Sequence, residues 1–480
     1  MRSIISINDL SRDEILSLIH DALERKNGKQ SEKFTGVLAS LFYESSTRTR
    51  ESTERAAERL GLRVMGFSGT EGTSVQKGEP LADTVRMYQS YGASVVVMRH
   101  PLEGAARFAA DLLQIPVING GDGSNSHPTQ TLIDLMTIVE KCGRIDGLKI
   151  ALVGDLKYGR TVHSLVTGLR MFQNISLWLV APDSLKMPQH FIDNFERNGS
   201  TIYHTQDMSD IFDQVDVIYM TRIQRERFPQ GYEGEFEFEK VSRLYQLTAD
   251  CVRQKKTGIM HPLPRYKHRI EISLDVDQLL NAWYIEQARN GLFLREALLA
   301  QILSGKLCKR AEVNGADEKL WKDLPITNGA KTGQHMIYRL DNGTLIDHIH
   351  GGKGRDVLNV LRMGSATFVH ASNIRSQRSG IKDVLGFTDH ELTDMELSKI
   401  ALVEPDATIN IIRDRRVVRK GKVVLPHVIE KLVVCQNPRC ITHESQHEFA
   451  PQRFIPIAQD ILKCYYCEVP VEREKIKLTQ

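Results

Sequence analysis

The sequence predicts an α/β protein: two parallel-sheet α/β domains, then a small α+β domain, then a short β-rich domain that carries cysteines. Three observations predict it. Apolar strand-like runs alternate with helical stretches from residue 1 to about 305. The stretch 306–333 is polar and rich in turn signals, and short strands with two helices resume from 334 to 428. Four of the seven cysteines, Cys435, Cys440, Cys464 and Cys467, crowd the C-terminus.

Strands are expected at Val37–Phe42, Ser94–Met98, Pro116–Asn119, Lys149–Val153, Ile175–Val180, Asp216–Met220 and Gly258–Met260. Each is a short continuous apolar run, the mark of a strand buried on both faces. Helices are expected at Glu51–Leu60, Pro80–Tyr91, Thr129–Lys141 and Thr161–Met171. Polar residues gather at the strand ends, which points to a site in the cleft between two sheets. Within 306–333 the pairs Asn314-Gly315, Asn328-Gly329 and Thr332-Gly333 read as turns of a linker, with Trp321 and Leu324 packed on something. Beyond it, strands are expected at Met336–Leu340, Thr344–Ile349, Ala366–Val369 and Val423–Leu425, and helices at Gly354–Arg362 and Asp389–Val403.

Composition excludes several classes. Hydrophobic content of 41% and charged content of 26% suit a globular protein, and a net charge of +3 gives no reason to expect a nucleic-acid partner. Met1–Asp9 has no apolar core of a secretory signal, and no run reaches the roughly 18 apolar residues of a membrane helix. A cytoplasmic enzyme is expected. Clustered cysteines in such a chain suggest metal rather than disulfides.

Residues 42–50, Phe-Tyr-Glu-Ser-Ser-Thr-Arg-Thr-Arg, are the most informative stretch. Ser46, Thr47 and Thr49 supply hydroxyls, and Arg48 and Arg50 supply guanidiniums, between an apolar strand and a helix. A helix N-terminus with arginine forks is a phosphate site. Arg99, after one strand, and His127 and Gln130, in His-Pro-Thr-Gln, stand at strand ends. With Thr49 they suit an acyl-type transfer, which needs donors where oxyanion charge develops. Arg160 and Arg222 each offer a planar fork, and two such forks suit a dicarboxylic amino acid. Cys435-x₄-Cys440 and Cys464-x₂-Cys467, 23 residues apart, suit a closed tetrahedral zinc site, structural rather than catalytic.

These motifs resemble the transcarbamoylases, enzymes that move the carbamoyl group of carbamoyl phosphate to an amine. The resemblance implies that Arg99, His127 and Thr49 contact the carbamoyl oxygen and that Gln130 orients its nitrogen. Ser46, Thr47 and Arg48 would hold phosphate. Ser74 and Lys77, in Ser-Val-Gln-Lys-Gly-Glu, would reach into a neighbouring subunit's site. The segments Asp155–Ser164 and Tyr219–Arg227 resemble the aspartate-specific branch, with Arg160, Thr161, Arg222 and Gln224 as contacts of L-aspartate. The Ser-Met-Gly loop of the ornithine branch is missing from the sequence. His261-Pro-Leu-Pro-Arg265 makes the same distinction: backbone carbonyls of Pro262 and Leu263 would accept from the amines, and Leu263–Pro264 would be cis. Glu44, Arg160, Glu226 and Arg227 would bridge the two domains. No covalent nucleophile and no catalytic cofactor are implied.

The stretch 336–467 resembles the regulatory chain of the aspartate transcarbamoylases. Gly343–Ile349, Ser379-Gly380-x-Lys382-Asp383, Ala407–Asn410 and the cysteines carry it. That implies a ferredoxin-like domain binding nucleotides such as CTP and ATP, with Asp347, His348, Lys382, Asn410 and Lys420 at effector positions, and one structural Zn2+ per chain. The basic cluster Arg413, Arg415, Arg416, Arg419, Lys420 and Lys422 is a candidate triphosphate site. A second effector lysine of the family is Gly386 here, which leaves the nucleotide response open. The expected organisation is therefore 1–130 for carbamoyl phosphate, with a helix at about 285–305 returning to it, 131–284 for aspartate, 306–333 as linker, 334–428 for effectors and 429–480 for zinc. Shared sites imply a homo-oligomer, a trimer at least, with a dimer of trimers as the larger assembly. Two alternatives stand beside this reading: a transcarbamoylase for another amino acid, and a zinc-ribbon binding protein on an inactive transcarbamoylase fold.

Overall fold

The computed structural model describes residues 2–193, 195–223, 232–266, 271–307, 320–326, 340–362, 366–376, 380–458 and 460–479. Two compact units divide the chain, one built on Met1–Arg310 with Arg439–Ile441 and Gln446–Glu448 joined to it, the other on the rest from Ala311. No helix among the described residues is long and apolar enough to cross a membrane.

In the first unit a capping box opens α1 (Arg12–Lys26): the Ser11 hydroxyl accepts from Glu14 N, and the Glu14 carboxylate accepts from Ser11 N. Then come β1 (Val37–Phe42), α2 (Arg48–Arg59), β2 (Arg63–Ser68), α3 (Leu81–Ser90), β3 (Val95–His100), α4 (Ala105–Leu112) and β4 (Val117–Asp122). The strands form a parallel sheet in the order β2-β1-β3-β4. After α5 (Pro128–Cys142) the alternation repeats as β5 (Lys149–Val153), α6 (Arg160–Leu169), β6 (Ser176–Val180), α7 (Gln189–Ile192), β7 (Thr201–Thr205), β8 (Val217–Met220), α8 (Tyr232–Leu244), α9 (Ala249–Val252) and β9 (Gly258–Met260). This second parallel sheet runs β7-β6-β5-β8-β9. Central strands β1 and β8 are buried along their whole length, as their apolar runs require. The apolar-run reading does not mark β2 or β7. Both are edge strands with exposed residues such as Arg63 and His204, so they carry no such run.

The long helix α10 (Tyr284–Leu303) packs against α1, α2 and α5. Residues on most of its faces are buried, and it carries Gln287 and Arg295 into the interior.

The second unit contains β10 (Trp321–Asp323), β11 (Gly343–His350), α11 (Gly354–Leu361), β12 (Phe368–Ser376), β13 (Gly380–Thr388), α12 (Asp394–Val403), β14 (Thr408–Arg413) and β15 (Arg416–Val423). The sheet order is β10-β15-β14-β11-β13-β12, all antiparallel. Strands β14-β11-β13-β12 with their two helices make the expected ferredoxin-like arrangement.

Four expectations shift here. The linker contributes β10, because the Trp321 indole lies against Gly421, where a Cβ would come within 2.1 Å of it. The Arg419 guanidinium stands 4.5 Å over that ring. Of the strand expected at Val423–Leu425 only Val423 is in a strand, as the last residue of β15. The helix expected from Asp389 starts at Asp394, because Thr393 and Glu396 close a capping box there. The strand expected at Ala366–Val369 runs later, as β12. Of the strand expected at Met336–Leu340, residues 336–339 lie outside the described residues.

The C-terminal part adds β16 (Ile429–Glu430), β17 (Val433–Val434), β18 (Arg453–Ala458), β19 (Ile461–Cys464), β20 (Pro470–Glu472) and β21 (Lys477–Leu478). They form a small sheet, β16-β18-β19-β20, and the pair β17-β21.

Candidate active site

A cavity of about 870 Å³ opens in the first unit at the strand ends of its two sheets. Ser46, Thr47, Arg48, Thr49, Arg99, His127, Gln130, Arg160, Thr161, Arg222, Pro262 and Leu263 all line it. Three helices begin at its wall, α2, α5 and α6, and none of them has a side-chain cap. Uncapped helix N-termini favour anions. Arg48, Arg99, Arg160, Arg222 and Arg295 add cationic side chains to the same wall.

That crowding shows in the electrostatics. Burial, with Arg160 adding to it, lowers Arg99 to about 9. Burial lowers Arg295 to about 9 and Arg48 in the same direction. A site so rich in mutually repelling cations is relieved by a multiply charged anion. Gly121, at φ +117°, gives the room: a Cβ there would meet Arg160 Cζ and Arg99 Nε at 3.3 Å.

Arg99 Nε donates to Gly120 O at 2.8 Å, and Arg99 Nη2 donates to Thr49 Oγ1 at 3.0 Å and to His127 Nε2 at 2.9 Å. An arginine only donates, so His127 Nε2 is the acceptor in this state. The imidazole proton therefore sits on Nδ1, which faces Thr129 Oγ1 at 3.4 Å. Burial and the charges of Arg99, Arg160 and Arg295 hold the His127 pKa well below its ordinary value, so the ring is neutral. A guanidinium, a hydroxyl and an imidazole from three parts of the chain thus converge on one spot.

Arg160 Nη1 donates to Gly123 O at 2.6 Å and stands 3.9 Å from the Glu44 carboxylate. Glu226 and Arg227, expected in the same charge set, lie outside the described residues, as does Gln224. Arg222 Cζ lies 5.7 Å from the Tyr266 ring centre. In the His261–Arg265 turn, His261 Nδ1 accepts from Leu263 N at 2.8 Å and the Leu263–Pro264 bond is cis, as expected. Ser74 and Lys77 are not brought to the cavity. They are exposed on a short 3-10 turn.

Sequence reasoning missed three polar residues of α5 and α10. Asp134 is fully buried and accepts from Gln130 Nε2 (2.8 Å), Gln287 Nε2 (2.7 Å) and Tyr219 Oη (3.0 Å). Burial raises its carboxyl to about 7 against those donors. Arg295 donates to Ser52 Oγ at 2.9 Å and to Thr129 Oγ1 at 3.2 Å, tying α2 to α5. Asp134 is a lone acid in the apolar run Leu132–Ile138, a signal that marks it as paired in the core. Gln287 and Arg295 have no local signal, since their partners lie far away in sequence.

In the second unit the five expected effector residues come together on β11, β13, β14 and β15. Lys382 Nζ donates to Asp347 Oδ1 at 2.6 Å, and Asn410 Nδ2 donates to Leu345 O at 3.2 Å. His348 follows Asp347 at a bulge, and Lys420 pairs in register with Asn410. Gly386 is buried, and a Cβ there would meet the Leu340 side chain at 3.2 Å. Leu340 thus fills the space toward which a lysine would start. Of the basic cluster, Arg413 pairs with Glu391, Arg415 with Asp341, Arg419 with Asp323 and Lys422 with Asp406. These pairs are solvent-exposed and cost little to open.

The Sγ atoms of Cys435, Cys440, Cys464 and Cys467 all lie within 4.8 Å of one another, and all four residues are buried. Cys435 Sγ and Cys467 Sγ are 3.6 Å apart. A tetrahedral Zn2+ with Zn–S of about 2.3 Å sets sulfurs roughly 3.8 Å apart, so the cluster fits structural zinc.

Comparison with known proteins agrees with this geometry. Residues 2–140 match the aspartate/ornithine carbamoyltransferase carbamoyl-P binding domain, and residues 146–302 match the Asp/Orn binding domain. Residues 335–424 match the aspartate carbamoyltransferase regulatory chain allosteric domain, and 427–477 its metal binding domain. The aspartate carbamoyltransferase catalytic subunit of Methanocaldococcus jannaschii is 46% identical over 308 residues, 63% of this chain and 98% of that protein. That of Thermococcus onnurineus is 47% identical over 309 residues, 63% of this chain and 97% of that protein. A solved structure of the M. jannaschii catalytic subunit aligns with TM-score 0.59 and 45% identity over 64% of this chain and all of that one. Aspartate transcarbamoylase of Trypanosoma cruzi in complex with carbamoyl phosphate aligns with TM-score 0.57 and 38% identity over 62% of this chain and 95% of that one. A cavity built for a phosphate and a dicarboxylic amino acid, on sheets shared with these relatives, and a regulatory part in the same polypeptide, mean that this chain belongs to the aspartate carbamoyltransferase family and joins its catalytic and regulatory domains in one molecule.

Proposed function

We propose that the cavity transfers the carbamoyl group of carbamoyl phosphate to the α-amine of L-aspartate, with its residues in the following roles. Arg48, Ser46, Thr47 and the N-terminus of α2 hold the phosphate. Arg99, Thr49 and His127 hold the carbonyl oxygen. Gln130 takes the carbamoyl nitrogen. Arg160, Thr161, Arg222 and Gln224 take the aspartate carboxylates, and the carbonyls of Pro262 and Leu263 take the amines. The amine nitrogen attacks the carbonyl carbon, a tetrahedral oxyanion forms, the C–O bond to phosphate breaks, and phosphate leaves with the amine's proton. Positioning and fixed donors supply the rate, with no metal and no covalent intermediate.

The observation that carries this reading is the Arg99–Thr49–His127 triad at the uncapped ends of α2 and α5. The substrate oxygen takes the place at which these three groups now bond one another. Nε2 then needs the proton that Nδ1 carries in the open site. The test is Arg48→Ala, assayed with aspartate and with ornithine. Aspartate turnover is expected for the parent chain and its near-abolition in the variant. A near-normal rate in Arg48→Ala sinks the phosphate role, and ornithine turnover overturns the aspartate assignment.

The reading extends to assembly and control. Ser74 and Lys77 serve a neighbouring subunit's site, so the working unit is at least a trimer, with a dimer of trimers as the larger form. Their distance from the chain's own cavity supports this. Domain limits are 1–130, 131–284, 334–428 and 429–480, with α10 returning to the first. CTP and ATP bind at Asp347, His348, Lys382, Asn410 and Lys420 and shift the aspartate response. Reducing cytoplasmic conditions keep the four cysteines free of disulfides for zinc.

A further inference from the structure

We infer that Asp134 is a positioning residue that fixes the Gln130 amide oxygen-first toward the cavity and locks the His261–Leu263 turn in register with it. The inference rests on the proposed role of Gln130 and adds the group that makes that role directional.

Asp134 lies one helical turn after Gln130 on α5 and is fully buried. Its Oδ1 accepts from two primary amides, Gln130 Nε2 at 2.8 Å and Gln287 Nε2 at 2.7 Å. Its Oδ2 accepts from Tyr219 Oη at 3.0 Å. A side-chain amide can present nitrogen or oxygen to a cavity, and only its partners decide which. Ionised, or carrying a proton on Oδ2 toward Tyr219 Oη, the carboxyl has in Oδ1 an oxygen that accepts and does not donate. Both amides must therefore turn nitrogen to Asp134 and oxygen away.

For Gln287 the oxygen then meets His261 N at 3.0 Å, and His261 Nδ1 takes Leu263 N at 2.8 Å. For Gln130 the oxygen is left for the cavity, which both Gln130 and Gln287 line. An acceptor at that point suits an acyl phosphate bearing an amine and gives nothing to one bearing a methyl. One carboxyl thus couples three elements: α5 on the carbamoyl side, α10 behind it, and the β9 turn that presents Pro262 and Leu263. Tyr219, near the end of β8 and two and three residues before Thr221 and Arg222, brings in the aspartate side.

The test compares carbamoyl phosphate with acetyl phosphate, which carries a methyl in place of the amine. Steady-state kcat/KM is measured for carbamoyl phosphate, and the competitive inhibition constant for acetyl phosphate, in the full chain and in Asp134→Leu. The inference predicts a fall of about tenfold or more in carbamoyl phosphate kcat/KM, the value of one directed hydrogen bond, with the acetyl phosphate constant moved less than about threefold. Asp134→Asn, whose Oδ1 still takes both amides while Nδ2 donates to Tyr219 Oη, is expected to restore most of the loss. Where Asp134→Leu does not yield folded chain, Asp134→Ala is read the same way. Equal losses for both ligands, or no loss for either, overturn the inference. Gln130→Met separates the two layers. If it leaves carbamoyl phosphate kcat/KM unchanged, the role of Gln130 itself fails. If it lowers kcat/KM while Asp134→Leu does not, only the role of Asp134 fails.

Discussion

At the residue scale, the account rests on geometry that charge alone would not supply. Arg222 offers a fork, and a lysine there offers a point charge on a flexible stem. Arg222→Lys is expected to raise the aspartate KM by roughly 10- to 100-fold, as loss of a charge-assisted bidentate contact of about 1.5–3 kcal/mol implies. The carbamoyl phosphate KM is expected to stay near its parent value. Initial rates at varied aspartate check this, and an unchanged aspartate KM contradicts the carboxylate role. Arg48, Thr49, Arg99, His127 and Gln130 were legible in the sequence because each stands where a strand ends and a helix begins. Gln287 and Arg295 were not, because their meaning lies in partners that only folding brings near, and Asp134 showed only as a lone acid in an apolar run, with Gln287 and Tyr219 distant in sequence.

At the element scale, what the sequence reveals depends on burial. Strands β1, β5 and β8 are covered on both faces and announce themselves as apolar runs. Edge strands β2 and β7 face water and stay silent. Strand β10 was hidden in an apparent linker because three residues carry no periodicity; a single tryptophan was its sign. Trp321 is buried and its indole Nε1 donates to Asp323 Oδ1 at 2.8 Å. Trp321→Ala is expected to cost about 3 kcal/mol or more, the range for emptying a buried tryptophan site. A melting transition of the regulatory unit that moves down by several degrees is the expected result, and an unmoved one contradicts the strand. The glycine at 386 belongs to the same scale. Gly386→Lys is expected to destabilise the unit by about 1–3 kcal/mol through its clash with Leu340. Leu340→Ala in the same chain is expected to recover part of that, a coupling that a double-mutant cycle measures.

At the scale of the whole molecule, pH and metal act on different parts. His100 and His261 are buried neutral with pKa values lowered to about 3, and His163 to about 4, in each case chiefly by burial; His127 is lowered too. The unfolded chain protonates these rings near the ordinary value of about 6.5. Their contribution to stability is thus present above about 6.5 and is lost as pH falls toward 4, at up to about 1.4 kcal/mol per ring per pH unit. His190, also lowered by burial, adds a fifth ring, while Asp122, raised to about 6, Asp134, raised to about 7, and Glu271 and Glu448, raised as well, all chiefly by burial, act with the opposite sign. Five rings against four carboxyls leave a small net loss. Denaturant midpoints for the catalytic unit are expected to fall between pH 6.5 and 5, and midpoints that rise on acidification contradict buried neutral histidines. The zinc cluster makes a separate demand. Elemental analysis is expected to give one zinc per chain, and Cys464→Ser is expected to lose it, since a hydroxyl replaces a thiolate ligand. Full zinc retention in that variant contradicts the four-thiolate site.

The most direct test of the account is a set of aspartate-saturation curves for carbamoyl transfer by the full chain, taken with and without CTP and ATP. The account predicts carbamoyl-aspartate formation with curves that at least one nucleotide displaces along the aspartate axis. Absence of turnover contradicts the catalytic assignment, and turnover with curves that neither nucleotide moves contradicts the regulatory one.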